Sequence, residues 1–132
     1  MEAGIELSEY YMVGLGGTAR IEEHAIESAR VLSAINPTFI RLRTTVPIPG
    51  TELYREFEEG SWEMPSPHQA LREIKMMVEN LDCSSVLVSD HNSNYWDISG
   101  KLPEDKPHIL REIDRALQVD ESRFRHWTSV RL

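Results

Sequence analysis

The sequence predicts an α/β domain built from three βα units with parallel strands. Three short apolar runs, at residues 10–13, 39–46 and 85–88, are each followed by a turn of small or polar residues and then by a segment with helical periodicity. Each helical segment is long enough to cross between parallel strands, and such crossovers are right-handed almost without exception. Domains of this class place their sites at the carboxyl ends of the strands.

Size and composition suit one globular domain. The chain has 132 residues, of which 40% are hydrophobic and 27% are charged. Its formal net charge of -8 argues against nucleic acid and anionic membranes as partners, because both favour a basic surface. No apolar run resembles a membrane span or a signal sequence, and Cys83 alone cannot close an internal disulfide. These features predict a cytoplasmic protein.

The first unit joins a strand to a helix through a Gly-rich turn. The strand at residues 10–13 runs directly into Gly-Leu-Gly-Gly at residues 14–17. Thr18 can cap a helix whose apolar residues recur at helical spacing, and Asn36-Pro37 ends this helix. The glycines suit either a tight turn without a ligand or a close approach of the backbone to one.

The central unit covers residues 38–54, with the sequence TFIRLRTTVPIPGTELY. An alternating apolar strand stops at the turn of residues 47–50, and Thr51 can cap a short helix that Gly60 ends. Arg41 and Arg43 are two residues apart, so they leave the strand on the same side. They are either candidate partners for a carboxylate or exposed arginines on a sheet face.

The third unit is preceded by a helix with a strong start signal. Ser66, Pro67 and Gln69 predict a capping box with proline in the first turn, and an apolar stripe follows. The strand at residues 85–88 then runs into the polar row of residues 89–95. After a turn at Gly100, a last helix is predicted to begin at Pro103 or Asp105.

Two questions stay open at the level of residue pattern. The first concerns Asp90 and His91, with Asn92 and Asn94 nearby, because a carboxylate beside an imidazole suits a metal or acid/base site. Adjacent residues of a strand point to opposite faces, however. This favours a turn in which the Asp and Asn side chains form hydrogen bonds with the local backbone. Three parallel strands cannot close on themselves. They form either an open three-layer sandwich or part of a larger barrel.

Three segments together resemble radical S-adenosylmethionine enzymes. YYMVGLGGT at residues 10–18 resembles their fifth-strand GxIxGxxE segment, and RLRTTVPIPGTELY at residues 41–54 is similar to the sixth strand and Pro-Gly-Thr turn of biotin-synthase-like members. VSDHNSNY at residues 88–95, with GKLPEDK at residues 100–106, resembles a family related to oxygen-independent coproporphyrinogen oxidases. The resemblance covers roughly residues 1–118 in order and leaves residues 119–132 as a C-terminal tail.

The resemblance implies a partial (βα) TIM-like barrel that contacts S-adenosylmethionine and a small-molecule substrate. Met12 would lie against the adenine, and the backbone from Val46 to Ile48 would face the adenine edge. The turn glycines would let the backbone approach the cofactor; these are Gly14, Gly16 and Gly17. The implied substrate contacts are Arg41, Arg43, Asp90, His91 and Asn92.

The chain departs from this family in one major respect, because the cluster-binding CxxxCxxC is absent. One cysteine cannot hold a [4Fe-4S] cluster, so we expect a C-terminal half of a longer enzyme that is catalytically incomplete alone, with the cluster in the N-terminal half. The alternatives are a stand-alone α/β small-ligand or partner-binding domain and, at Asp90 and His91, a metal-dependent hydrolase. Unpaired strand edges predict a homo-oligomer.

Overall fold

The computed structural model describes residues 6–89 and 94–124. These residues form a mixed α/β fold around one open four-stranded sheet, with strand order β1-β2-β3-β4. The strands are β1 (Ser8–Val13), β2 (Phe39–Thr44), β3 (Val86–Val88) and β4 (Gly100–Lys101). The first three are parallel, which confirms the predicted α/β class and the predominantly parallel sheet.

The fourth strand was not predicted. β4 pairs antiparallel with β3 in the register Val86 to Lys101, and the Leu102 amide extends the pairing by donating to the Ser85 carbonyl at 2.9 Å. Its two residues show no apolar alternation, so the sequence pattern does not indicate a strand there. The pairing instead depends on backbone groups and on the free edge that β3 offers. β4 therefore covers the β3 edge, whereas β1 pairs only with β2 among the described strands. Self-association through strand edges stays a prediction.

Four α-helices connect or follow the strands in the described residues. They are α1 (Ile21–Ile35), α2 (Glu52–Glu59), α3 (Pro67–Asn80) and α4 (Lys106–Leu117). The capping box of α3 is present: the Ser66 hydroxyl accepts from the Gln69 amide at 3.2 Å, and the Gln69 side chain accepts from the Ser66 amide at 2.8 Å. α4 begins at Lys106, later than the predicted Pro103 and directly after the predicted Asp105.

The hydrophobic core lies on one face of the sheet. Tyr11, Val13, Ile40, Leu42 and Leu87 supply the strand side of this core, and buried residues of α1, α3 and α4 supply the other side. α1 packs against α3, and α3 packs against α4, so these helices follow the order of the parallel strands. No helix in the described part of the chain is long and apolar enough to cross a membrane.

The opposite side of the sheet, which we call the open face, contributes no residue to the core cluster. Its side chains are half-buried or exposed. Period-two alternation along the three parallel strands identifies these residues as Ser8, Tyr10, Met12, Phe39, Arg41, Arg43, Val86 and Val88. The first two units therefore present Met12 and both arginines on one surface.

The described residues that follow α4 contact other parts of the fold. Residues Glu121–Arg123 form a short 3₁₀ turn. Phe124 then lies edge-on to the rings of His68, Tyr95 and Trp96, with ring centres 5.8 to 6.2 Å apart. The first part of the predicted tail thus packs against the start of α3.

Candidate functional site

The Gly-rich turn at the carboxyl end of β1 is held by the segment that precedes α3. The Thr18 amide donates to the Glu63 carbonyl at 3.0 Å, and the Trp62 indole donates to the Leu15 carbonyl at 3.1 Å. Within the turn, the Gly17 amide donates to the Gly14 carbonyl at 2.9 Å. Several of the polar backbone groups of the turn are therefore satisfied by protein atoms.

Two glycines of this turn have conformations that other residues rarely adopt. Gly14 has φ +85°, and a Cβ there would lie 3.3 Å from the Pro65 ring. Gly17 has φ 65° and ψ -169°, a region that is essentially restricted to glycine. A Cβ at Gly17 would lie 3.0 Å from the Glu63 carbonyl oxygen and 3.1 Å from the Trp62 ring. The turn needs glycine both for its backbone geometry and for close packing.

A buried carboxylate lies beneath the turn. Glu73 of α3 is fully buried, and its carboxylate accepts from the Gly14 amide at 3.0 Å and from the Tyr11 hydroxyl at 2.9 Å. Sequence reasoning missed this residue. A signal was present, because Glu73 lies three residues after Ala70 and four before Met77, inside the apolar stripe of α3. A carboxylate at such a position requires internal hydrogen-bond donors.

His24 of α1 extends this polar cluster toward the edge of the sheet. Its ring stacks on Tyr11 with ring centres 5.0 Å apart, and its Nε2 lies 3.0 Å from the Met12 carbonyl. That distance fits a tautomer in which Nε2 carries the proton and donates it. Helices α1 and α3 are thus both tied to the carboxyl end of β1.

Burial shifts the ionisation of both partners in this cluster. Desolvation raises the pKa of Glu73 above its ordinary value, although the hydrogen bonds from Gly14 and Tyr11 oppose the rise. Burial, together with the neighbouring Glu73 carboxylate, also raises the pKa of Tyr11. Tyr11 therefore stays protonated and serves as a donor to Glu73.

The raised pKa of Glu73 makes the stability of the fold depend on pH. The folded chain holds this proton at pH values where the unfolded chain has already released it. The contribution of this retained proton to stability is therefore complete below the ordinary Glu pKa of 4.5. It is lost as pH rises through the pKa of Glu73 in the folded chain. We expect the free energy of unfolding of the wild type, minus that of Glu73→Gln, to fall as pH rises from about 4 to about 8. Urea titrations across this range measure it, and a flat or rising difference would contradict the raised pKa.

The carboxyl ends of β2 and β3 are joined by a second buried polar group. The Asn94 side-chain amide donates to the Leu42 carbonyl at 2.7 Å and to the Ser89 carbonyl at 3.1 Å, and its oxygen accepts from the Thr44 hydroxyl at 3.1 Å. Asn94 therefore fixes the start and end of the polar row after β3. Asp90, His91 and Asn92, the predicted substrate contacts in that row, lie outside the described residues.

Thr45 carries a hydrogen-bonding group that the described residues leave unused. Its amide donates to the Val13 carbonyl at 2.7 Å, which continues the parallel ladder one residue beyond β2. Its hydroxyl is buried and has no hydrogen-bond partner in the described part of the chain. Backbone alternation places Thr45 on the side of β2 that carries Arg41 and Arg43.

The predicted cofactor contacts occupy one rim of the sheet. Met12 is half-buried on the open face, and the Gly14–Gly17 turn follows directly at the end of β1. Val46 is half-buried, whereas the side chain of Ile48 is 43% exposed; both follow β2 at the same end of the sheet. The rim thus unites the two predicted cofactor segments, whose role in binding stays a prediction.

The two arginines of β2 lie on the open face, each over an aromatic ring. The Arg41 guanidinium carbon is 5.1 Å from the centre of the Phe39 ring, and that of Arg43 is 4.7 Å from the centre of the Tyr10 ring. Neither arginine forms an ion pair with a described residue. The open face therefore carries two positively charged groups that no carboxylate of residues 6–89 or 94–124 neutralises.

The described residues offer no evident metal site, since no three His, Cys, Asp or Glu side chains among them lie close enough to hold an ion. The hydrolase alternative rests on Asp90 and His91, which fall outside this set. Comparisons with protein-family models, with curated proteins and with solved structures found no match to this chain.

Proposed function

We propose that this chain is the C-terminal part of a radical S-adenosylmethionine enzyme, supplies contacts to the cofactor and substrate, and is catalytically incomplete alone. The proposal joins the resemblance of three sequence segments to one structural observation. Parallel strands follow one another in sequence order, while the core and helices α1, α3 and α4 lie on one face. In a (βα) barrel the helices surround the sheet, and its other face becomes the interior.

The residues on the open face support the same proposal. Met12 and the two arginines would face the barrel interior, where a cofactor and a substrate carboxylate would lie. The Gly14–Gly17 turn and the residues after β2 would form the rim above them. Cleavage of S-adenosylmethionine needs an electron from a cluster, and the single Cys83 cannot hold one, so the cluster would be bound elsewhere in the enzyme.

Binding of S-adenosylmethionine to the isolated chain tests this proposal. In a ¹H–¹⁵N NMR titration, we expect the cofactor to shift the amide signals of residues 12–17 and 46–48. Met12→Ala should weaken binding because it removes the apolar surface beneath the adenine, whereas Met76→Ala on α3 is the matched control. Absence of shifts at millimolar cofactor, or shifts confined to other residues, would count against the proposed cofactor contacts.

A stand-alone domain that binds a small ligand without chemistry is the second candidate. The hydrogen bonds that Glu63, Trp62 and Glu73 make to the Gly-rich turn favour it, because they hold the rim without any cofactor. The coding sequence separates the two candidates. A CxxxCxxC motif upstream in the same reading frame or in the adjacent gene supports the enzyme, and its absence from both would leave the stand-alone domain.

A further inference from the structure

We infer that the open face binds a dianionic ligand whose two acidic groups are held by Arg41 and Arg43. The inference names a ligand class for the substrate side of the proposed site. It rests on the proposed function only for the identification of that ligand as a substrate. Recognition itself follows from the charge and geometry of two side chains.

Both guanidinium groups are positioned by neighbouring aromatic rings. Phe39 lies two residues before Arg41 on β2, and Tyr10 lies opposite Arg41 on β1, so Arg43 reaches diagonally across the sheet. Both arginines therefore lean toward the amino ends of the strands. Strand rise and strand spacing place the Cα atoms of Phe39 and Tyr10 roughly 8 Å apart. Two separate acidic groups fit this arrangement better than one.

The two arginines of the open face are not neutralised by carboxylates of the described residues. The chain has 22 Asp and Glu residues against 14 Lys and Arg, yet neither arginine meets a carboxylate among the described residues. Two like charges on one face repel each other, and an anion bound between them would remove that repulsion. The described ion pairs lie instead on helix surfaces, for example Arg55 with Glu52 on α2.

The local chemistry favours carboxylates at both positions. Guanidinium groups can donate two parallel hydrogen bonds to a carboxylate, and an arginine held against a ring loses less side-chain entropy on binding. Met12 and Val88 on the same face give an apolar surface for the carbon chain of the ligand. A linear aliphatic dicarboxylate matches these features, and adipate is a suitable probe.

The test compares adipate with hexanoate, which has the same carbon chain and one carboxylate. We expect adipate to bind about tenfold more tightly in calorimetry at low salt, because it alone engages both arginines. Arg41→Gln and Arg43→Gln should each reduce adipate affinity to about that of hexanoate. Arg55→Gln makes the same charge change on α2 and should leave adipate affinity unchanged. Arg41→Lys and Arg43→Lys keep the charge but lose bidentate geometry, so their affinities should lie between those of the wild type and the Gln variants.

Equal affinity for adipate and hexanoate would overturn the inference. So would an Arg55→Gln variant that loses as much affinity as Arg41→Gln, since the effect would then reflect net charge alone. Failure of this test is distinguishable from failure of the proposed function. The cofactor titration reports on residues 12–17 and 46–48, whereas the adipate titration depends on the two arginines.

Discussion

Replacing Glu73 with alanine is expected to lower the free energy of unfolding by about 3–5 kcal/mol. The variant removes the acceptor for both the Gly14 amide and the Tyr11 hydroxyl, and both donors would stay buried without a partner. It also leaves a cavity at a fully buried position of α3. Urea denaturation at neutral pH, followed by circular dichroism, measures the change.

Two further variants separate the hydrogen bonds from the cavity. Glu73→Gln retains an oxygen that can accept from the Gly14 amide, so its cost should be smaller than that of the alanine variant. Tyr11→Phe removes only the hydroxyl and should cost about 1–2 kcal/mol. Because Tyr11 and Glu73 contact each other, the double variant should cost less than the sum of the single variants. Additive effects would show that Tyr11 and Glu73 do not act together, and a Glu73→Ala cost no larger than that of Tyr11→Phe would show that Glu73 does not hold the turn.

Gly17→Ala is expected to destabilise the chain by about 3 kcal/mol or more. Part of this cost is backbone strain, since φ 65° with ψ -169° is a region that alanine avoids. The rest comes from the new Cβ, which would press against the Glu63 carbonyl and the Trp62 ring. These groups hold the turn through hydrogen bonds, so they cannot move away without breaking them. The shift in thermal midpoint measures the effect.

Gly60→Ala is the matched control for this variant. Gly60 also has a positive φ, of 83°, but a Cβ there would meet no atom within 4 Å. Its cost should therefore be backbone strain alone, about 1 kcal/mol. If the two variants lost equal stability, the contact between the Gly-rich turn and the 62–65 segment would contribute nothing to the requirement for glycine.

The helices could be predicted from sequence where their signals are local. Ser66 and Gln69 form their capping box within one turn, and Thr51 caps α2 by accepting from the Tyr54 amide at 3.2 Å. Such bonds join residues close in the chain, so the residue types indicate them directly. The strands at residues 10–13, 39–46 and 85–88 are predicted for a similar reason, since a short apolar run, continuous or alternating, is a local pattern.

The site could be predicted only in part. Period-two alternation placed Arg41 and Arg43 on one side of β2, but the pattern left open whether that side was buried. Glu73 was missed because its donors, Gly14 and Tyr11, are 59 and 62 residues away in sequence. Asn94 was noticed as part of a polar row, while its bond to the Leu42 carbonyl needed two strands to be adjacent.

The amino-acid sequence by itself determined the α/β class, the three strands, the caps of α2 and α3 and the presence of a glycine turn after the first strand, because the signals for each lie within a few neighbouring residues. Only the tertiary structure decided that the core lies on one face, that β4 covers the edge of β3, and that Glu73 supports the turn. These features arise from contacts between distant segments, whose hydrogen bonds and packing form only when the strands and helices come together.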